Sequence, residues 1–200
     1  MAETGAAGGT RGPPMDEAYF RHYCGYGPYD QNYLLHSGIE HCISIARRLD
    51  LRIESVLVLG AATGRVLEHF ERSWGVRPWG CEISEWAHAR IPGRFRRRIA
   101  RRDMRDYLPW LLERRRRFDL LFTNSLVYLS APELPEFVGR CSLVAGHLHF
   151  YSSTSEAFEP GDRYRVTLRP ARWWRRLFAG NGFAPTRSPY VWRSERFAAG

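Results

Sequence analysis

Three stretches of this sequence place glycines, acids or amides directly after apolar runs, where an α/β sheet exposes the ends of its strands. In the first, Val56-Leu57-Val58-Leu59 runs into Gly60-Ala61-Ala62-Thr63-Gly64, after which Val66, Leu67, Phe70 and Trp74 recur at helical spacing. A strand that passes through a glycine turn into a helix presents free N–H groups and the positive end of a helix dipole. Nucleotide-like ligands bind at such places. In the second stretch, the run Val76–Cys81 ends at Glu82, eighteen residues after Gly64. A carboxylate there sits beside the first turn and can accept hydrogen bonds from ribose hydroxyls. In the third, Phe118–Thr123 ends in the polar pair Asn124-Ser125.

The elements that must position these groups follow from periodicity and capping. Ile39, Cys42, Ile43, Ala46 and Leu49 recur at helical spacing, so a helix leads into the first strand. Ser84 caps a short helix that Pro92-Gly93 ends. Arg98–Arg102 is a short third strand ahead of Asp103-Met104, and Tyr107–Arg116 is a helix with Pro109 in its first turn. Ser130-Ala131-Pro132-Glu133 reads as a capping box with Pro in the first turn. A fifth strand, His147–Ser153, puts His147 and His149 on one face. Two histidines at that spacing can chelate a metal, but no third ligand stands nearby in the sequence, so no metal site is assigned. One of them could serve as a base, since histidine titrates near neutral pH. Pro170–Gly180 is a last helix, followed by a hairpin through Phe183 and Tyr190–Phe197.

The order of these motifs resembles the class I S-adenosylmethionine-dependent methyltransferases, from about Val56 to Phe197. The resemblance implies one α/β domain with a Rossmann-like, seven-stranded, mostly parallel sheet, a C-terminal antiparallel hairpin and helices on both faces. It implies S-adenosylmethionine as cofactor and S-adenosylhomocysteine as product, with the methyl passing to a small-molecule acceptor at oxygen or nitrogen. Gly60, Ala61, Ala62, Thr63 and Gly64 would cradle the methionine end and Glu82 would hold the ribose. Ile83, Asp103 and Met104 would meet the adenine. Asn124, Ser125 and Tyr128 would border the transferred methyl, Asn124 also touching the cofactor, and Tyr26, Tyr29 and His149 would shape the acceptor pocket. Two positions depart from the family pattern. Val58 stands where an acid is usual, and Ala62 stands for the middle glycine, although alanine does not freely adopt a positive φ. They open the alternative of a degenerate, non-catalytic binding module.

Residues 1–15, rich in Gly and Ala with a Pro pair, are expected to be a disordered leader, and 16–200 one domain. Within it, 16–50 is an aromatic-rich cover segment and 155–170 a polar loop suited to a substrate lid. No apolar run reaches the ~18–20 residues of a membrane span. Four scattered cysteines without a CxxC pair point to a reducing cytoplasm rather than to a disulfide framework. The net charge is +9, and all 30 basic residues are arginine. Without lysine there is no Schiff-base or P-loop chemistry. The runs Arg94–Arg98, Arg101-Arg102 and Arg114–Arg117 are read as solvated surface. They keep RNA or protein methylation, with a nucleic-acid partner, as the alternative. A nicotinamide-dependent dehydrogenase is disfavoured by the helix–glycine–hairpin ending.

Overall fold

The five apolar runs form parallel strands: β1 (Ser55–Leu59), β2 (Arg77–Glu82), β3 (Ile99–Arg101), β4 (Phe118–Thr123) and β5 (Ala145–Phe150). The computed structural model describes residues 15–22, 27–31, 33–151, 162 and 164–197, of which 33–37 are described as backbone only. The expected leader up to Pro14, Tyr23, Tyr26 and half of the expected lid lie outside the described residues. With β6 (Phe183–Pro185) and β7 (Val191–Ser194), the sheet order is β3-β2-β1-β4-β5-β7-β6. Only β7 runs antiparallel to its neighbours.

Strand centres are buried on both faces, as a doubly covered parallel sheet requires. Leu57, Leu59, Leu121 and Leu148 face one apolar cluster with α5 (Met104–Glu113), α6 (Leu134–Val144) and α7 (Ala171–Gly180). Val56, Val58, Leu120 and Phe122 face the other, with α2 (Tyr33–Arg48) and α3 (Arg65–Trp74). Val58 is 1% exposed within this second cluster, so the place of the family acid is an apolar contact. The amino ends of β1 and β4 are tied by Asp119, which accepts from the N–H groups of Glu54 and Ser55 and from the Ser55 hydroxyl at 2.8–2.9 Å.

Three boundaries differ from the sequence expectation. α5 starts three residues early because Asp103 caps it, accepting from Arg105 N at 2.8 Å, and Pro109 therefore falls inside the helix. α6 starts at Leu134, and Ser130–Glu133 keeps only the returning half of the capping box, the Glu133 carboxylate accepting from Ser130 N at 2.9 Å. β5 begins at Ala145, because its pairing with Phe118 extends the ladder two residues toward the amino end.

Candidate functional site

All the parallel strands end on one edge, and the glycine turn, Glu82, Asp103, Asn124 and His149 gather there. The turn is left-handed at three positions: Gly60 has φ 81°, Ala62 φ 48° and Gly64 φ 88°. At Gly60 a Cβ would lie 2.2 Å from Ser125 Oγ, which would have to turn away, and the φ of 81° strains any side chain there. Ala62 takes the glycine conformation despite its methyl, at a cost of about 1–2 kcal/mol. Its N–H compensates by donating to Glu82 Oε2 at 2.7 Å in a buried hydrogen bond. The turn thus keeps its shape where the sequence pattern breaks.

Glu82, 4% exposed, also accepts from Ser84 N at 2.7 Å through Oε1. Burial raises its pKa above the usual carboxylate value, and the backbone N–H groups of Ser84, Ala62 and Ile83 oppose the shift. Beside it Ile83 is 44% exposed, an apolar surface suited to the face of a flat ring. α4 (Glu85–Arg90) begins next to it, capped by Ser84, which accepts from Ala87 N at 3.2 Å.

Asp103 is arranged differently. Its Oδ1 accepts from Arg105 N at 2.8 Å and Arg105 Nε at 3.1 Å, and its Oδ2 from Arg105 Nε at 3.0 Å and a terminal guanidinium nitrogen at 2.6 Å. The same guanidinium reaches Glu133 at 3.2 Å, and these two acids push the Arg105 pKa up, Asp103 first. Asp103 is therefore already paired, in a way its place after a strand does not disclose. Met104 follows at the first position of α5, where a helix leaves its N–H without an intrahelical partner.

At the end of β4, Thr123 Oγ1 donates to Leu59 O and accepts from Ser125 N, both at 3.0 Å, which locks β4 to β1 beside the turn. Asn124 and Ser125 are half-buried there. Tyr128 donates to Asp162 at 2.9 Å, and its hydroxyl lies 3.0 Å from the Tyr19 hydroxyl. Asp162 also holds Arg165 Nε at 3.2 Å. The described part of the expected lid is fastened to the chain after β4: Val166 N and Thr167 N both donate to Val127 O at 3.0 Å.

The cover segment supplies α1 (Glu17–Arg21) and the 3-10 turn Tyr29–Gln31. Phe20 is 4% exposed, buries against Ala62 and Ala87, and stacks on Trp86 at 5.4 Å between centroids and 13° between planes. Tyr29 packs edge-on against Phe20 at 5.4 Å, and Asp30 accepts a hydrogen bond from the Thr63 hydroxyl. Tyr26 lies outside the described residues.

On the α2 face, His149 is fully buried and stacks on Phe122 at 5.2 Å and 7°. Among the described residues neither of its ring nitrogens has a hydrogen-bond partner, nor has Nδ1 of His41, whose ring centroid is 6.5 Å away. Burial, with a smaller push from His41, lowers the His149 pKa to about 3. His147 bonds Asp119 O instead, at 3.3 Å, and no cluster of metal-ligating side chains occurs among the described residues. His41, Phe20 and Asp162 were not signalled by the sequence, because they meet partners distant along the chain, and Arg105 was not, because its rotamer decides that it turns back onto Asp103.

The arginine runs lie largely elsewhere. Arg94 pairs with Glu68 in the first turn of α3 at 3.0 Å, whereas Arg97 and Arg98 lead into β3 and Arg114–Arg117 precede β4, at the amino edge of the sheet. There Arg77, Arg97, Arg98 and Trp79 help line a cavity of about 460 Å³.

No protein-family model and no curated protein matches the chain by sequence. Solved structures match by shape. DesVI from Streptomyces venezuelae superposes with a TM-score of 0.60 at 16% identity, over 87% of this chain and 92% of its own. A SAM-dependent methyltransferase from Archaeoglobus fulgidus gives 0.57 at 17% identity, over 76% and 75%. The cyclopropane synthase MmaA2 from Mycobacterium tuberculosis gives 0.53 at 12% identity, over 67% of this chain, which spans little more than half, 56%, of that protein. The fold is that of the class I methyltransferases.

Proposed function

We propose that this chain is an S-adenosylmethionine-dependent methyltransferase acting at oxygen or nitrogen of a small-molecule acceptor. The observation that carries the proposal is the buried Glu82 carboxylate, closed onto a left-handed glycine turn at the carboxyl edge of this strand order. The residues fit the nucleoside. The hydrogen bonds from Ala62 and Ser84 occupy one lone pair on each Glu82 oxygen, which leaves acceptor capacity for ribose hydroxyls. Ile83 offers an apolar face, and the Met104 N–H stands at a helix start. S-adenosylmethionine brings its methyl already activated on a sulfonium, so the protein's work is to bind and orient. In this assignment Gly60 to Gly64 hold the methionine end, Asn124, Ser125 and Tyr128 border the acceptor, and Tyr29 belongs to the cover. A small acceptor is favoured over RNA because Arg97, Arg98 and Arg114–Arg117 stand at the amino edge, opposite the glycine turn, and only the pair Arg101-Arg102 of the three runs closes the carboxyl end of a strand.

The test is calorimetric titration of ligand-free protein with S-adenosylmethionine and S-adenosylhomocysteine, alongside Glu82→Ala. The expected result is micromolar binding of both, weakened at least about a hundredfold in the variant, as fits loss of two charge-assisted hydrogen bonds.

A second reading, a binding module without transfer, is favoured by one observation: Asp103 is held by Arg105 and Phe20 fills the space against Ala62 and Trp86. It expects no heat with either ligand, including when Phe20 is replaced by alanine.

A further inference from the structure

A histidine with both ring nitrogens unpartnered in a fully buried position is rare, because each unsatisfied polar group costs about 1–3 kcal/mol. His149 is such a residue, and His41 Nδ1 adds a third orphaned nitrogen beside it. Packing alone does not call for histidine here. A phenylalanine would stack on Phe122 equally well and leave nothing unsatisfied. Around the pair stand aromatic rings: His41 meets Tyr190 at 4.9 Å and Tyr151 at 5.7 Å, and Tyr151 meets Tyr190 at 5.3 Å. Tyr151 is 41% exposed, so His41 lies between the solvent-facing tyrosine and buried His149. The cluster borders the proposed transfer site, since the Asn124 side-chain amide meets the Tyr151 backbone, its nitrogen donating to the Tyr151 carbonyl at 2.5 Å when the amide is turned to satisfy both of its atoms.

We propose that His41 and His149 are the polar end of an acceptor pocket for a flat molecule with an uncharged, acidic hydroxyl, of the phenol or enol class. The role of that molecule as methyl acceptor rests on the methyl-transfer reading. A neutral imidazole offers one donor and one acceptor nitrogen, the complement of a hydroxyl, which also donates and accepts. The surrounding ring edges suit an aromatic or conjugated body. An ammonium group is disfavoured, because the charge that acts on His41 is that of Arg48. A carboxylate is disfavoured by the lack of a cationic partner at the buried nitrogens, since an unpaired buried charge costs several kcal/mol. The imidazoles hold the hydroxyl in place, as positioning residues. Burial keeps both of them neutral near pH 7, which leaves His149 too weak a base to take the proton, so when the oxygen bonds the methyl and the sulfonium S–C bond breaks, the proton of the acidic hydroxyl leaves to solvent.

The experiment uses the full chain labelled with nitrogen-15 in histidine, with catechol as the probe and benzylamine as its ammonium counterpart. Long-range proton–nitrogen spectra are recorded during each titration, and S-adenosylhomocysteine is titrated calorimetrically in the same preparation. Catechol is expected to move the resonances of His149 and His41, and benzylamine is not. His149→Phe should fold and weaken catechol about tenfold, the worth of one buried hydrogen bond, while His149→Gln restores part of the loss. S-adenosylhomocysteine affinity should be unchanged in both variants. Absence of catechol binding at millimolar concentration, unmoved histidine resonances, unchanged catechol affinity in His149→Phe or equal binding of benzylamine would each overturn the inference. If S-adenosylhomocysteine itself fails to bind, it is the methyl-transfer reading that falls.

Discussion

The two ends of the carboxyl edge treat their titratable groups in opposite ways. At the nucleoside end every acid has a partner within the chain: Glu82 has Ala62 and Ser84, Asp103 has Arg105, and Asp30 has Thr63. Phe20 completes that closure by stacking on Trp86. At the acceptor end, two strands from β1 along the sheet, His149 and His41 keep three buried nitrogens without a partner among the described residues. The contrast is one of linkage. Glu82 keeps free lone pairs, but a ligand at the first end must still displace Phe20 from Trp86 or Arg105 from Asp103, so its affinity is reduced by the stability of the closed form. A ligand at the second end supplies hydrogen bonds that are missing, and so relieves a cost that the folded chain carries.

The sharpest way to test the contrast is pH. The ordinary histidine pKa is 6.5 and that of His149 is about 3, so between these values the unfolded chain binds a proton that the folded chain refuses. Stability therefore falls as pH drops from about 6.5 toward 3. The loss attributable to this residue is about 2 kcal/mol at pH 5 and approaches 5 kcal/mol near pH 3. His149→Phe removes the penalty. Urea denaturation at pH 7 and pH 5 should show the variant's stability advantage growing by about 2 kcal/mol on acidification. An advantage that stays constant would mean that His149 is already solvated, and the distinction between the two ends would be lost.

A smaller effect is expected at the closed end. If Phe20 holds the arm over the nucleoside position, Phe20→Ala should raise the association rate of S-adenosylhomocysteine roughly tenfold, because a larger fraction of molecules is open. Stopped-flow tryptophan fluorescence measures this directly, with Trp86 as a reporter in contact with Phe20. A slower or unchanged rate would make Phe20 plain core.

How much of this was legible beforehand depends on the range of the interactions. Strand order, the glycine turn and Glu82 follow from local runs and short spacings, which periodicity captures. The apolar fate of Val58 was legible only as a missing acid, because its neighbours Leu120 and Phe122 come from a strand sixty residues on. The saturation of Asp103 was hidden because its own helix supplies the competing guanidinium two residues later, and a sequence shows the arginine but not its rotamer. His149 was visible as a strand-face histidine, whereas its isolation depends on α2 and on Tyr190, far apart in the chain. Orphaned groups are a property of packing and leave no trace in residue spacing.

The smallest effect concerns the turn that joins both ends. Ala62 holds φ 48°, a conformation that costs an alanine about 1–2 kcal/mol and a glycine almost nothing. Against this, glycine gives the unfolded chain about 0.5–1 kcal/mol more entropy to lose. Ala62→Gly should therefore stabilise the fold by only about 0.5 kcal/mol, which thermal unfolding resolves as a shift of roughly 1–2 °C. The hydrogen bond from residue 62 to Glu82 uses the backbone and survives the change, so S-adenosylhomocysteine affinity should stay within about twofold. A marked gain in affinity with the glycine would show that the alanine methyl, together with Phe20, is part of what keeps the nucleoside end closed. The contrast between the two ends would then be written into the turn itself.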